Sequence, residues 1–133
     1  MFVLLDTHAL IWLDQDHPSL GPEARKHTDL ALQQGQLAVS AITFWEIAML
    51  IEKRRMTMVM SCPAWRRELL NLGLVEILID GDIGISAAQL DLHGDPADRI
   101  IVATARMKGA LLVTADQSLL RWNRGLESCD ARL

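Results

Sequence analysis

Two patterns alternate along the chain: short, continuous apolar runs of the kind that form buried strands, and longer runs with helical spacing and helix punctuation. Phe2 to Leu5 reads as a first strand. A helix follows from Thr7 to about Asp14, and another from Glu23 to Gln34, with Pro22 at its first turn and Gly35 just past its end. Leu37 to Val39 reads as a short second strand. Further helices run from about Ala41 to Arg54, from Pro63 to Leu72 with Gly73 as the stop, and from Pro96 to Lys108 with Gly109 as the stop. Between them, Leu74 to Ile79 and Leu111 to Val113 read as strands and Ile85 to Leu90 as a short helix. This alternation specifies an α/β fold with parallel strands.

At 133 residues, without an internal repeat or a Gly/Ser- or Pro-rich linker, the chain reads as one domain over residues 1–133. Half of it is hydrophobic and 23% charged, which excludes a disordered or low-complexity chain. The balance of 13 Lys+Arg against 17 Asp+Glu gives a net charge of -4, so any nucleic-acid role rests on a local site and not on bulk positive charge. Cys62 and Cys129 stand far apart with neither zinc-ligand nor disulfide-framework spacing, and a reducing cytoplasm is expected. The start MFVLLD has no basic segment before its first acid, and no apolar run approaches the roughly 18 residues of a membrane span, so neither a targeting segment nor a membrane association is expected. A mean hydropathy of +0.18 is high for a small monomer and predicts a homodimer, with the helices near Trp45, Met49 and Trp65 as the interface.

The informative residues are acids in unusual places. Asp6 ends the run Phe2 to Leu5, and Asp116 stands two residues beyond Thr114, so both fall at the carboxyl ends of strands, the edge where open α/β sheets bind ligands. Either could equally be the N-cap of the next helix. Glu46 lies in a stretch, Ile42 to Ile51, whose other residues are all apolar except Thr43, which predicts a helix buried nearly all round. A capping box from Thr43 to Glu46 fits the spacing, but a buried carboxylate favours a cationic ligand. In GDPADRIIVATA, Asp95 reads as the cap before Pro96, and Asp98, on the same helix face, as the ligand.

Removing Asp6, Glu46, Asp98 and Asp116 from the 17 acids leaves 13, equal to the 13 Lys+Arg; the excess negative charge is the size of this cluster. Converging carboxylates without a basic partner suit a hard divalent ion, Mg²⁺ or Mn²⁺. Such a site polarises a phosphodiester and activates water for in-line attack. Asp6 and Asp98 are then direct ligands, Asp116 a direct or water-mediated ligand, and Glu46 a ligand or the base for the attacking water. Arg99 beside Asp98 either steadies the phosphate, points into solvent or pairs with Asp95.

LLDTHALIW with Asp6, SAITFWEIA with Glu46, DPADRIIVATA with Asp98 and LVTADQSLL with Asp116 resemble, in order and spacing across residues 2–120, the four signature stretches of the PIN domain, in particular of VapC-type toxins from bacterial toxin-antitoxin pairs. The resemblance implies a three-layer α/β/α fold with a central parallel sheet, Mg²⁺- or Mn²⁺-dependent endoribonuclease activity, a homodimer, and inhibition by a small antitoxin. It transfers site roles to Asp6, Glu46, Asp98 and Asp116. One departure is Leu50, where many relatives carry a lysine four residues after the glutamate; the nearest basic run is Lys53, Arg54 and Arg55. Lys53 and Arg54 are therefore either substrate contacts or the solvated, dipole-complementing end of a helix.

The remaining residues carry plainer readings. His8, His17, His27 and His93 have no ligand spacing to one another, and Trp12, Trp45, Trp65 and Trp122 suit core or dimer packing better than base stacking. Thr7 either bonds a ligand or caps a helix, and Cys62 before Pro63 starts one. Two other functions stay open: a receiver-type phospho-acceptor domain, which lacks here the paired acids after the first strand, and a catalytically silent PIN-like module that binds RNA or protein.

Overall fold

The computed structural model describes residues 1–92, 94–122 and 124–133. In chain order the elements are β1 (Val3–Leu5), α1 (Thr7–Asp14), α2 (Pro22–Gln33), β2 (Leu37–Ser40), α3 (Ala41–Glu52), α4 (Cys62–Asn71), β3 (Val75–Ile77), α5 (Gly81–Gln89), α6 (Pro96–Lys108), β4 (Leu111–Thr114), α7 (Gln117–Trp122) and β5 (Glu127–Asp130). The strands form one sheet in the order β3-β2-β1-β4-β5, and every neighbouring pair is parallel. Leu5 pairs with Val39 on one side and Val113 on the other, so β1 is central.

Side chains alternate across the sheet with the strand period of two. Val3, Leu5, Leu37, Val39 and Val113 face one core with Leu10 of α1, Ala24 and Ala31 of α2, Ile47 of α3 and Trp65 of α4. Leu4, Ala38 and Leu112 face the other core with Ile83 of α5, Ile101 and Val102 of α6 and Leu119 of α7. The result is the expected three-layer α/β/α arrangement with a central parallel sheet. No helix among the described residues is long and apolar enough to cross a membrane.

Several sequence expectations are corrected. α3 ends at Glu52, not Arg54, because Arg54 takes φ 58 and the Arg55 N–H turns back to the Leu50 carbonyl at 2.8 Å, closing the helix. α3 is not buried all round either. Thr43, Phe44 and Ile47 are its buried residues, whereas Trp45 is 52% exposed. Trp65 takes the core alternative of its two readings: it is only 5% exposed, packs edge-on against Phe44 and donates its indole N–H to Asp14 at 3.1 Å. Trp122 falls on a helix, α7, as expected, whereas β5 has no counterpart in the sequence pattern. ESCD carries no apolar alternation; β5 forms by backbone pairing along β4, from Leu111↔Glu127 to Thr114↔Asp130. Cys62 and Cys129 are both free thiols.

Candidate active site

The strand order reverses between β1 and β4: from β1 the chain builds outward through β2 to β3, then crosses back to lay β4 on β1's other edge. The carboxyl ends of strands at such a switch point border a crevice. Here it is a cavity of about 350 Å³ lined by Asp6, Thr7, His8, Trp12, Glu46, Asp95, Asp98, Ala115, Asp116 and Arg132. All four predicted acids line it.

Asp6 follows β1 directly and serves two purposes. Its Oδ1 accepts the Ala9 N–H at 2.8 Å, which makes it the N-cap of α1. Its Oδ2 accepts the hydroxyl of Thr114, the last residue of β4. At 8% exposure the carboxyl is pushed up by burial, against which both hydrogen bonds work.

Glu46 resolves the choice between capping box and site. The N-cap of α3 is Ser40, whose hydroxyl oxygen accepts the Ile42 N–H at 3.2 Å. Thr43 is instead paired with Thr7 across the interior, 3.2 Å between hydroxyl oxygens, and the Thr7 hydroxyl donates to Glu46 Oε1. No capping box forms. Burial is the main cause that raises the Glu46 carboxyl, with Asp95 and Asp6 adding like charge.

At the start of α6 the two acids divide the work as their spacing suggested. Asp95 caps, accepting the Asp98 N–H at 2.9 Å, and stands exposed at the cavity rim. Asp98 is half-buried, and its carboxyl is pushed up to about 7, first by burial and then by the charges of Asp95, Glu46, Asp116 and Asp6. Asp116 is held from both ends of its residue: its N–H donates to Thr114 Oγ1 at 3.1 Å, and its Oδ1 accepts the Ser118 N–H at 2.9 Å and hydroxyl at 2.7 Å.

The acids share the cavity without closing on one point. Among the described residues no group of three or more His, Cys, Asp and Glu is drawn tightly enough to hold an ion as it stands. The donor set nonetheless fits a hard cation: it is all carboxylate oxygen, without sulfur, and its members raise one another's pKa values as charges wanting a shared counter-charge do.

Arg99 is corrected. Its guanidinium does not reach the cavity; it donates to the Leu92 carbonyl and to those of Ala88 and Leu90, each at 3.0 Å, closing the end of α5. Lys53 and Arg55 line an adjoining groove with Trp45, Met49 and Leu50, which shares Glu46 and Asp95 with the cavity; Arg54 is exposed and not part of its lining. His8 lines the cavity, whereas the reading of His93 lies outside the described residues. The sequence reading missed Thr114, Trp12 and Arg132 as parts of this site.

The family model of the PIN domain matches residues 3–124. The chain belongs to the PIN domain family. This PIN-domain chain is 34% identical over 122 residues to Ribonuclease VapC22 of Mycobacterium tuberculosis, covering 88% of each. Its fold is similar to that of a toxin-antitoxin complex from Klebsiella pneumoniae, with a TM-score of 0.65, 26% identity, and 97% of each chain covered. It is also similar to VapBC2 from Rickettsia felis bound to a promoter DNA fragment, with a TM-score of 0.73 at 17% identity over 97% of this chain and 98% of that one.

Proposed function

We propose that this PIN-domain protein is a VapC-type toxin: a cytoplasmic, Mg²⁺- or Mn²⁺-dependent endoribonuclease that hydrolyses RNA phosphodiester bonds, forms a homodimer and is inhibited by a cognate antitoxin. The observation that carries this reading is the delivery of Asp6, Glu46, Asp98 and Asp116 from four separate parts of the chain into one cavity at the sheet's switch point. The 34% identical relative named a ribonuclease and the 26% identical chain of a toxin-antitoxin complex support the substrate and the partner. The exposed Trp45, with Met49 and Leu50 beside it, supports a protein partner for the outer face of α3.

Asp6, Asp98 and Asp116 would hold the ion, with Glu46 as a further ligand or as the base. When bound, the ion would offset the charge of the phosphodiester and lower the pKa of water beside it. The chain's own part is placement. Thr114 and Ala9 fix the Asp6 carboxylate through both oxygens. Thr7 occupies Glu46 Oε1, which orients the carboxylate; the remaining oxygen is the acceptor for the proton of the attacking water. Asp95 holds the first turn of α6, and with it Asp98.

The test is cleavage of total bacterial RNA in Mn²⁺, with and without EDTA. Cleavage abolished by EDTA is expected, together with a Glu46→Gln protein that folds normally and is inactive, since the amide still accepts from Thr7 but takes no proton. Cleavage undiminished by chelation, or full activity in Glu46→Gln, refutes the reading.

A further inference from the structure

A cavity walled by five carboxylates repels the phosphates of an RNA strand wherever the ion does not offset them, and a cation on its walls would help to seat the strand. Of its lining side chains only His8 and Arg132 are basic, and only Arg132 carries a guanidinium fork. We propose that Arg132 is the substrate-binding cation of this site, holding a phosphate of the RNA strand against the acid cavity. The inference rests on the ribonuclease reading above.

The Arg132 guanidinium is aimed but not satisfied. One Nη1 hydrogen bond, 2.7 Å to the Ala115 carbonyl, ties it to the loop that carries Asp116. Its Cζ stands 5.8 Å from the centroid of the Trp12 ring, close enough for a cation–π contact that sets the plane of the fork. Among the described residues it enters no ion pair, and Ala115 is the acceptor found for its side chain. The rest of the fork therefore remains for an anion, and a guanidinium fork matches phosphate oxygens in pairs. Arg99 differs in this respect, its donors being taken by three carbonyls.

The backbone around Arg132 is fixed at every step. Its own N–H donates to Asp130 Oδ1 at 2.9 Å, and the Ala131 N–H donates to the Thr114 carbonyl at 2.9 Å. The Ala131 carbonyl accepts the Gly21 N–H at 2.8 Å, and the Leu133 oxygen accepts the Ala24 N–H at 2.9 Å at the start of α2. This docking depends on residue 21 having no side chain: a Cβ on Gly21 would lie 2.1 Å from the Leu133 carbonyl carbon and 2.4 Å from the Arg132 oxygen. Gly21 thus lets the segment lie flat on the start of α2, and the segment delivers Arg132 to the cavity.

Two readouts test this on the wild type and Arg132→Ala, Arg132→Lys and Gly21→Ala, all first checked for cooperative melting. They are anisotropy of a fluorescein-labelled, random-sequence single-stranded RNA 12-mer across a salt series in Ca²⁺, a hard cation in place of the Mg²⁺ or Mn²⁺ that supports cleavage, and steady-state cleavage of RNA in Mn²⁺. Arg132→Ala should raise Kd and KM on the order of tenfold with little change in kcat. It should also flatten the slope of log Kd on log salt by about 0.7, the loss of one phosphate contact. Arg132→Lys should restore the slope, and Gly21→Ala should weaken binding in the same way as Arg132→Ala. A merely structural arginine would lower Tm and leave the slope alone. Wild-type Kd, KM and slope in Arg132→Ala overturn the proposal. RNA binding that depends on Arg132 in a wild type that cleaves nothing sinks the ribonuclease reading and sustains this one. A wild type that neither binds nor cleaves sinks both.

Discussion

Replacing Asp98 by Asn isolates the repulsion inside the cavity. Its carboxyl is raised from 3.8 to about 7, so the folded protein holds this proton more tightly than the unfolded chain does. Wild-type stability contributed by this group is therefore fully present below the unfolded value and is lost as pH rises through about 7. A pKa difference of one corresponds to about 1.4 kcal/mol, which for a fully buried group displaced this far would approach about 4 kcal/mol. Asp98 is only half-buried, and screening by solvent reduces that to about 1–2 kcal/mol. Asn also gives up a favourable charge in the first turn of α6, which opposes the gain by about 0.3–1 kcal/mol. The net expectation for metal-free Asp98→Asn at pH 8 is a stabilisation of about 1 kcal/mol, or a Tm higher by about 3–5 °C. At pH 4 the aspartate is itself largely neutral in the folded chain, and the gain should vanish. Thermal melts followed by circular dichroism in EDTA, from pH 4 to pH 8, measure this. Added Mg²⁺ should then raise the wild-type Tm more than that of the variant, since a ligand stabilises the state that binds it. A variant less stable than wild type at pH 8, or a difference that does not change with pH, would show that Asp98 is not crowded by its neighbours.

Three further substitutions probe parts of the fold away from the cavity. Trp65→Ala should destabilise by about 3–5 kcal/mol in urea titrations because the ring is buried against Phe44, whereas Trp45→Ala should change monomer stability little and weaken the proposed homodimer in analytical ultracentrifugation. Glu76 accepts from Arg66 at 2.7 Å through each oxygen, which holds its carboxyl below 4.5; its contribution is present above the unfolded value and lost as pH falls through the lower folded one. Glu76→Gln should therefore narrow the gap between midpoints of urea unfolding at pH 7 and pH 3, and an unchanged gap would contradict the pairing.

The elements that patterning located well are those whose local signals agree with their burial. β1 is a fully buried apolar run, α1 follows it with Asp6 as cap, and α6 has Asp95, Pro96 and Gly109 in the positions that start and stop a helix. α5 starts earlier than expected, at Gly81, because Asp80 caps it while two glycines dilute the helical pattern. β5 was invisible for a different reason: an edge strand joined by backbone hydrogen bonds needs no apolar alternation, and its residues are exposed or half-buried. Arg132 was lost with it, since only the pairing of β5 with β4 brings that residue beside Ala115.

The site itself was ambiguous because capping and ligation were treated as rivals for the same acid. In a parallel α/β sheet they coincide: a helix that begins where a strand ends puts its N-cap on the carboxyl edge, which is also where the crevice lies. Asp6 satisfies Ala9 with one oxygen and still lines the cavity, and Asp116 does the same with Ser118. What separates such an acid from an ordinary cap is a second partner distant in sequence, here the hydroxyl of Thr114 on Asp6 and that of Thr7 on Glu46, residues no local pattern could have paired with them. Those hydroxyls hold the carboxylates in fixed orientations and work against the burial and like charge that raise both carboxyls. Asp98 has no such hydroxyl among the described hydrogen bonds, and burial together with the charges of Asp95, Glu46, Asp116 and Asp6 raises its carboxyl to about 7; its charge therefore depends on what the cavity contains.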